Sequence, residues 1–306
     1  MHADSLLLHA PHTLAWVRAE LTPPGPGEVW LETLAGAVSV GTEGPLYRGD
    51  ARAAVVSAYP LMTGYESLAK VVAAGSDVAG VGIGDRVVAT YGHRTAACVR
   101  ADTLMQVPEG VPDEVALLAI LFNDAGKGIG KLNLDVQGAV LITGAGTIGL
   151  LALHRLCWLG VAADVVEPLA SRRALASALG ARSVFAPENV PVDATYAAGV
   201  ECSSRQSAFA VLQRQLKPNA QLCVLADGNL EPLTLTPEFH SRELSVVASS
   251  DGEDYPAHAA AFFSYWLETR APLARLFDRR VRSRDLLATF AQLLTDPPVK
   301  VFVSYV

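Results

Sequence analysis

The sequence predicts a mixed α/β chain, with an all-β first third followed by a doubly wound parallel sheet. Three observations predict it. Gly144, Gly146 and Gly149 stand in the spacing G-x-G-x-x-G, between a short apolar run (139–142) and a helical apolar pattern through Ile148, Leu150, Leu151 and Leu153. A second apolar run, 163–166, ends in Glu167, 18 residues after Gly149. Residues 1–120 break into short alternating runs separated by Pro and Gly turns, the pattern of strands rather than helices.

The strand–turn–helix–strand–acid order suits a dinucleotide. Gly144 makes the tight turn, Gly146 lets a pyrophosphate approach the backbone, and Gly149 lets the helix pack on the strand. Thr147 and Ile148 open the helix, whose unpaired N–H groups and positive dipole end favour phosphate. Glu167 is placed to accept hydrogen bonds from the adenosine ribose and to repel a 2′-phosphate. Arg172 and Arg173, on the helix predicted over 171–180, either reach a 2′-phosphate or line an exposed face. Glu167 argues more directly, so NAD(H) is favoured and NADP(H) is the alternative.

Composition narrows the function classes. The 306 residues are 51% apolar and 18% charged, enough for a sizeable core and for two domains. A net charge of −7 with no basic run argues against nucleic acid. No uninterrupted apolar stretch approaches the length of a membrane span, and the first residues lack the order of a secretory leader. Cys98, Cys157, Cys202 and Cys223 are scattered, which fits a reducing cytoplasm without disulfides or a cysteine zinc knuckle.

Along the chain, 5–10 and 13–17 read as a hairpin, 23–27 as a loop and 28–34 as a half-buried strand. Residues 37–44 read as a glycine-bearing turn. Glu66 lies among apolar neighbours and should be buried and paired, with Arg86 the partner in view; Asp85 should bond turn amides. One or two helices are expected over 115–132, and further strands near 199, 221 and 244. Residues 258–269 carry an aromatic stripe, Phe262, Phe263, Tyr265 and Trp266, suited to packing; 284–294 is an amphipathic helix and 299–305 a closing strand.

Pro60 to Val88 carries P-x-x-x-G-x-E-x-x-x-x-V-x-x-x-G followed by G-D-R-V. With the nucleotide fingerprint, this resembles the medium-chain dehydrogenase/reductase superfamily. Ser39-x-Gly-Thr-Glu43 and the stretch 59–67 resemble its bacteriochlorophyllide dehydrogenase branch. The resemblance implies a GroES-like β-barrel catalytic domain over 1–120, a Rossmann domain over 121–267 and a segment, 268–306, that returns to the first domain. It implies that Cys202 and Ser203 lie near the adenine and pyrophosphate, that Ala226 and Asp227 face the nicotinamide ribose, and that the strand near 244–251 joins two copies as a homodimer.

Zinc members of that superfamily hold the metal with a Cys, a His and a later Cys or Asp. Val40 and Tyr65 stand at the first two positions, and the third falls in 121–124, which has no Cys; the matching positions supply at most one ligand, Asp124 or Glu66, where three are the usual minimum. Val87 and Cys98 lie too close together for a structural zinc lobe. No zinc is therefore expected. Another group must polarise a carbonyl or relay a proton. Tyr65 is either that donor or a packed core residue. Asp124 and Lys127, three residues apart, either share a helix face as a proton relay or are an N-cap and a solvated lysine. Thr42 and Glu43 either reach the substrate end or cap a turn. His93 is a weaker acid–base candidate, since a lone loop histidine is usually exposed. The function expected is hydride transfer between nicotinamide and a small-molecule alcohol or carbonyl. The alternatives are reduction of an activated C=C bond, or a dinucleotide-binding sensor without turnover.

Overall fold

The computed structural model describes residues 1–50, 59–134, 136–192, 195–226 and 231–305. It divides into two compact units, one of 1–120 with 254–306 and one of 121–253.

The first unit opens with β1 (His2–Ala10) and β2 (Thr13–Glu20), the expected antiparallel hairpin. β3 (Glu28–Val38) alternates buried and less buried residues as its sequence demands. The presumed turn over 37–44 is instead the end of β3 and the start of a helix, α1 (Val40–Arg48). Ser39 is its N-cap, and Gly49 ends it in the left-handed region at φ 75°. Then come β4 (Leu61–Met62), β5 (Glu66–Ala74), β6 (Arg86–Ala89), β7 (Ala96–Arg100), β8 (Met105–Gln106) and α2 (Asp113–Leu117). Asp85 accepts from the amide of Gly82, the turn role expected of it.

The second unit contains α3 (Ala119–Gly130), which begins at the unit boundary, then β9 (Val140–Thr143), α4 (Thr147–Trp158), β10 (Ala163–Val166), α5 (Ala170–Ala178), β11 (Ser183–Phe185), β12 (Tyr196–Glu201), α6 (Gln206–Gln215), β13 (Leu216–Val224), α7 (Pro237–Ser241) and β14 (Ser245–Ala248). The six strands form one parallel sheet in the order β11-β10-β9-β12-β13-β14. The chain starts at the centre, steps outward twice, returns past its starting strand and steps outward the other way. This is the doubly wound arrangement, and its order reverses between β9 and β12, where ligands of such sheets gather beyond the carboxyl ends.

The tail rejoins the first unit. α8 (Tyr255–Thr269) buries Phe262, Phe263 and Trp266 and packs beside β8, so this helix, expected in the nucleotide-binding half, belongs to the first unit. β15 (Phe277–Arg282), α9 (Leu286–Gln292) and β16 (Lys300–Ser304) follow. β16 pairs antiparallel with β3, giving a seven-stranded sheet of β15-β16-β3-β5-β6-β8 with β7 also on β3; β2-β1-β4 form a smaller sheet. One core of this unit gathers Leu6, Leu8, Val38, Leu286, Phe290, Val301 and Val303, so residues from both ends of the chain are buried together. No helix among the described residues is long and apolar enough to cross a membrane.

Candidate functional site

Two groups of side chains carry chemistry, one in each unit. In the second unit, the glycine turn lies where the strand order reverses. A Cβ on Gly149 would overlap the carbonyl oxygen of Gly144, so only glycine lets α4 sit this close to β9. Gly144 has φ +91°, and a Cβ there would lie 2.9 Å from the carbonyl oxygen of Cys202, at the end of the neighbouring β12. Gly146, the N-cap of α4, has nothing within 4 Å of its would-be Cβ. The first two glycine contacts are about packing; the third is open space at a helix start, the place where a phosphate needs room. The residues present therefore fit a dinucleotide.

Glu167 directly follows β10 and is 4% exposed. Its carboxylate accepts from the amide of Ala145 in the glycine turn at 2.8 Å and from the amide of Leu169 at 3.0 Å. It thus ties the glycine turn to the loop after β10, and a carboxylate retains lone pairs beyond these two bonds. Arg173, rather than Arg172, donates to the carbonyl oxygens of Glu167 and Pro168. Arg172 is partly exposed on α5. Cys202 and Ser203 lie in the loop after β12, beside Gly144. Glu201, fully buried, folds that loop by accepting from the amides of Ser203 at 2.7 Å and Ser204 at 3.1 Å. Burial pushes the Cys202 thiol well above its usual range and Cys223 to about 11, so both are packing residues rather than nucleophiles. Ala226 donates its amide to the carbonyl of Glu201. Asp227 lies outside the described residues.

Asp124 and Lys127 do share α3, but Asp124 sits within the helix and is not its N-cap. Both turn to the loop after β14. Asp124 accepts from the amide of Gly252 at 2.7 Å, Lys127 donates to the carbonyl of Asp251 at 2.9 Å, and Asn123 donates to the carbonyl of Glu253 at 2.8 Å. This face clamps a loop, and Lys127 is held rather than solvated.

In the first unit, the start of α1 and the start of β5 bring Ser39, Thr42, Glu43, Tyr65 and Glu66 together. Tyr65 donates to the hydroxyl of Ser39 at 2.6 Å and also bonds Thr42. Burial first, and then the Glu66 carboxylate, hold the Tyr65 phenol well above its ordinary range, so it stays protonated and serves as a hydrogen-bond donor. Glu43 reaches back to the amide of Ser39 at 2.8 Å, capping α1, and its other oxygen lies 3.0 Å from Nε2 of His93. His93 is 2% exposed, so the expectation of an exposed loop histidine is corrected: its ring is turned inward onto Gly64 and Glu43. Glu66 is buried and paired as expected, but its partner is Lys300, 2.7 Å away, with both side chains 0% exposed. Arg86 instead bonds Asp113 and the carbonyl of Val111. β16 and β5 flank β3 on either side, which brings a lysine and a glutamate 234 positions apart into contact. Lys300 and His93's partner were not readable locally; the spacing of Ser39 and Glu43 at a helix start was the available signal for the cap.

These side chains do not fit zinc. Val40, the first residue of α1, has no donor atom, the Tyr65 phenol is committed to Ser39, and Glu66 to Lys300. Among the described residues, no group of three or more His, Cys, Asp or Glu is placed to hold a metal ion.

No protein-family model matches the chain. It is 29% identical over 168 residues to the L-threonine 3-dehydrogenase of Deinococcus deserti, covering 44% of this chain and 48% of that protein. It is 34% identical over 87 residues to the 2-desacetyl-2-hydroxyethyl bacteriochlorophyllide A dehydrogenase of Cereibacter sphaeroides, covering 28% of this chain and 27% of that one. The matches thus span about half, or less, of the length of these curated relatives. The fold matches acetophenone reductase from Geotrichum candidum in complex with NAD, with TM-score 0.83, 19% identity, and coverage of 99% of this chain and 97% of that one. Signature residues, partial relatives and fold all resemble those of the medium-chain dehydrogenase/reductase superfamily.

Proposed function

We propose that this protein is a zinc-independent, nicotinamide-dependent oxidoreductase that interconverts a small-molecule alcohol and its carbonyl. The observation that carries the reading is the exchange at the metal position: a hydrocarbon at Val40 and a half-buried, protonated phenol at Tyr65, bonded to Ser39. The glycine turn with Thr147, Ile148, Cys202, Ser203 and Ala226 would hold the dinucleotide, with NAD(H) favoured by Glu167. When bound, the nicotinamide supplies the hydride chemistry. The chain must do the rest. A carbonyl gaining hydride develops negative charge on oxygen, and Tyr65 is the group that donates to it. Its O–H turns from Ser39 to the substrate oxygen as it does so, and Ser39 and the exposed Thr42 then donate to the phenol oxygen, returning from solvent the proton that Tyr65 gives up. The bacteriochlorophyllide and acetophenone enzymes named above support an alcohol–carbonyl substrate. A homodimer joined along β14, the last strand of the parallel sheet, belongs to the same reading.

The test is turnover of purified protein with NAD(H) and NADP(H), read from the absorbance of the reduced nicotinamide, over a panel of alcohols, aldehydes, ketones, quinones and enones. Turnover on an alcohol–carbonyl pair, unchanged after chelation, is expected. Stoichiometric zinc with activity lost on chelation would refute it. Turnover confined to enones or quinones would make the protein a C=C reductase, and dinucleotide binding without turnover on any member would make it a sensor.

A further inference from the structure

Tyr65, the residue before β5, and Ser39, the cap of α1, come from different parts of the chain, and their hydroxyls meet only if those parts are held in register. The geometry points to His93, acting with Glu43, as the positioning residue that holds the Tyr65–Ser39 hydroxyl pair together. This rests on the proposed donor role of Tyr65.

His93 touches both halves of the pair. On one side its Nε2 meets Glu43 at 3.0 Å, and the other oxygen of Glu43 accepts from the amide of Ser39 at 2.8 Å. The imidazole thereby fixes the carboxylate that fixes the Ser39 backbone. On the other side, its ring lies against the peptide that carries Tyr65. A Cβ on Gly64 would be 2.8 Å from three atoms of the His93 ring, so the residue before Tyr65 must be glycine for the ring to sit there. The His93 amide donates to the carbonyl of Thr63 at 2.7 Å, and the amide of Leu6 donates to the carbonyl of His93 at 2.9 Å, which anchors the loop to β1. His93 and Glu43 are both 2% exposed, and a buried carboxylate bonded on both oxygens has little freedom to move. Of the other polar groups nearby, Tyr91 is bonded to Thr33 and Lys300 to Glu66, and the Tyr305 ring lies beside Gly36, next to His93. A donor that is misplaced by an ångström loses on the order of 10²-fold in rate, so holding the pair is a functional task.

The test reads Tyr65 directly and needs no turnover. In protein carrying ¹³C-labelled tyrosine, the ring Cζ resonance of Tyr65, assigned by its loss in Tyr65→Phe, reports whether the phenol donates a hydrogen bond. His93→Phe keeps ring volume and removes the donor to Glu43. His93→Gln keeps a donor near the position of Nε2. The Tyr65 resonance should move in His93→Phe and return toward its native position in His93→Gln. An unmoved resonance in folded His93→Phe overturns the inference, as does an equal displacement in both variants, which would make the ring a mere filler. Where His93→Phe does not fold, His93→Asn, smaller and with its donor short of Glu43, replaces it with the same expectations. With a substrate in hand, kcat should fall about tenfold to 10²-fold in His93→Phe with dinucleotide affinity unchanged, and recover in His93→Gln. Loss of all turnover in the unmodified protein would sink the oxidoreductase reading alone, since the resonance test stands without it.

Discussion

Replacing Lys300 by Met isolates the cost of a stranded charge. Methionine fills nearly the volume of the lysine stem, so little cavity is left, and what changes is that the Glu66 carboxylate loses its cation. Both side chains are 0% exposed and 2.7 Å apart, so water cannot take the place of the ammonium. Breaking a buried pair from one side costs about 3–5 kcal/mol. At about 2 kcal/mol per molar of urea, a cost of about 4 kcal/mol lowers the midpoint of the affected transition by roughly 2 M. Equilibrium urea unfolding followed by tryptophan fluorescence is the assay. Trp16, Trp30 and Trp266 report on the unit that holds the pair and Trp158 on the other, and the two transitions are fitted separately. Lys300→Met with Glu66→Leu should regain most of the loss, because a buried pair replaced on both sides by apolar groups is near neutral. A single variant within about 1 kcal/mol of the native protein, or a double variant no better than the single, would refute the reasoning.

Three further outcomes are expected. Gly149→Ala should destabilise the second unit, because its Cβ would overlap the Gly144 carbonyl, whereas Gly146→Ala should fold and melt as the native protein does and lose dinucleotide affinity, since its Cβ enters open space; thermal melts and dinucleotide titration separate the two. Tyr65→Phe should fold normally and lose about 10²- to 10⁴-fold in kcat, with dinucleotide affinity retained, by steady-state kinetics. Burial lowers His154 to about 4, so below the ordinary histidine value the unfolded chain takes up a proton that the folded chain refuses. The stability is present above about pH 6.5 and is lost as pH falls toward 4, by up to roughly 3 kcal/mol; chemical denaturation across that range should show the slope, and His154→Leu should flatten it.

Much of the fold was legible because its determinants are local. Strand periodicity marked the hairpin at β1 and β2, and an apolar run, a glycine turn and a helical pattern marked β9 and α4, each within a few residues. The cap of α1 was misread as a turn, since Gly41, Gly44 and Pro45 are poor helix formers; the reach of Glu43 to the Ser39 amide and the packing of Tyr47 hold the helix against that propensity. His93 was misread for a related reason. Its loop position suggested exposure, but the absence of a side chain at Gly64 makes a seat for the ring inside the unit.

The sequence by itself determined the doubly wound half and the glycine turn, and it sets Val40 and Tyr65 where the family resemblance implies metal ligands, because residue identity and short spacing decide those. Only the tertiary structure decided who pairs with whom: Glu66 with Lys300 rather than Arg86, Glu43 with His93, and Asp124 and Lys127 with a loop more than a hundred positions away. The physical reason is that a charge buried from water must find its partner wherever the packed chain delivers one, and strand order, not sequence distance, makes that delivery.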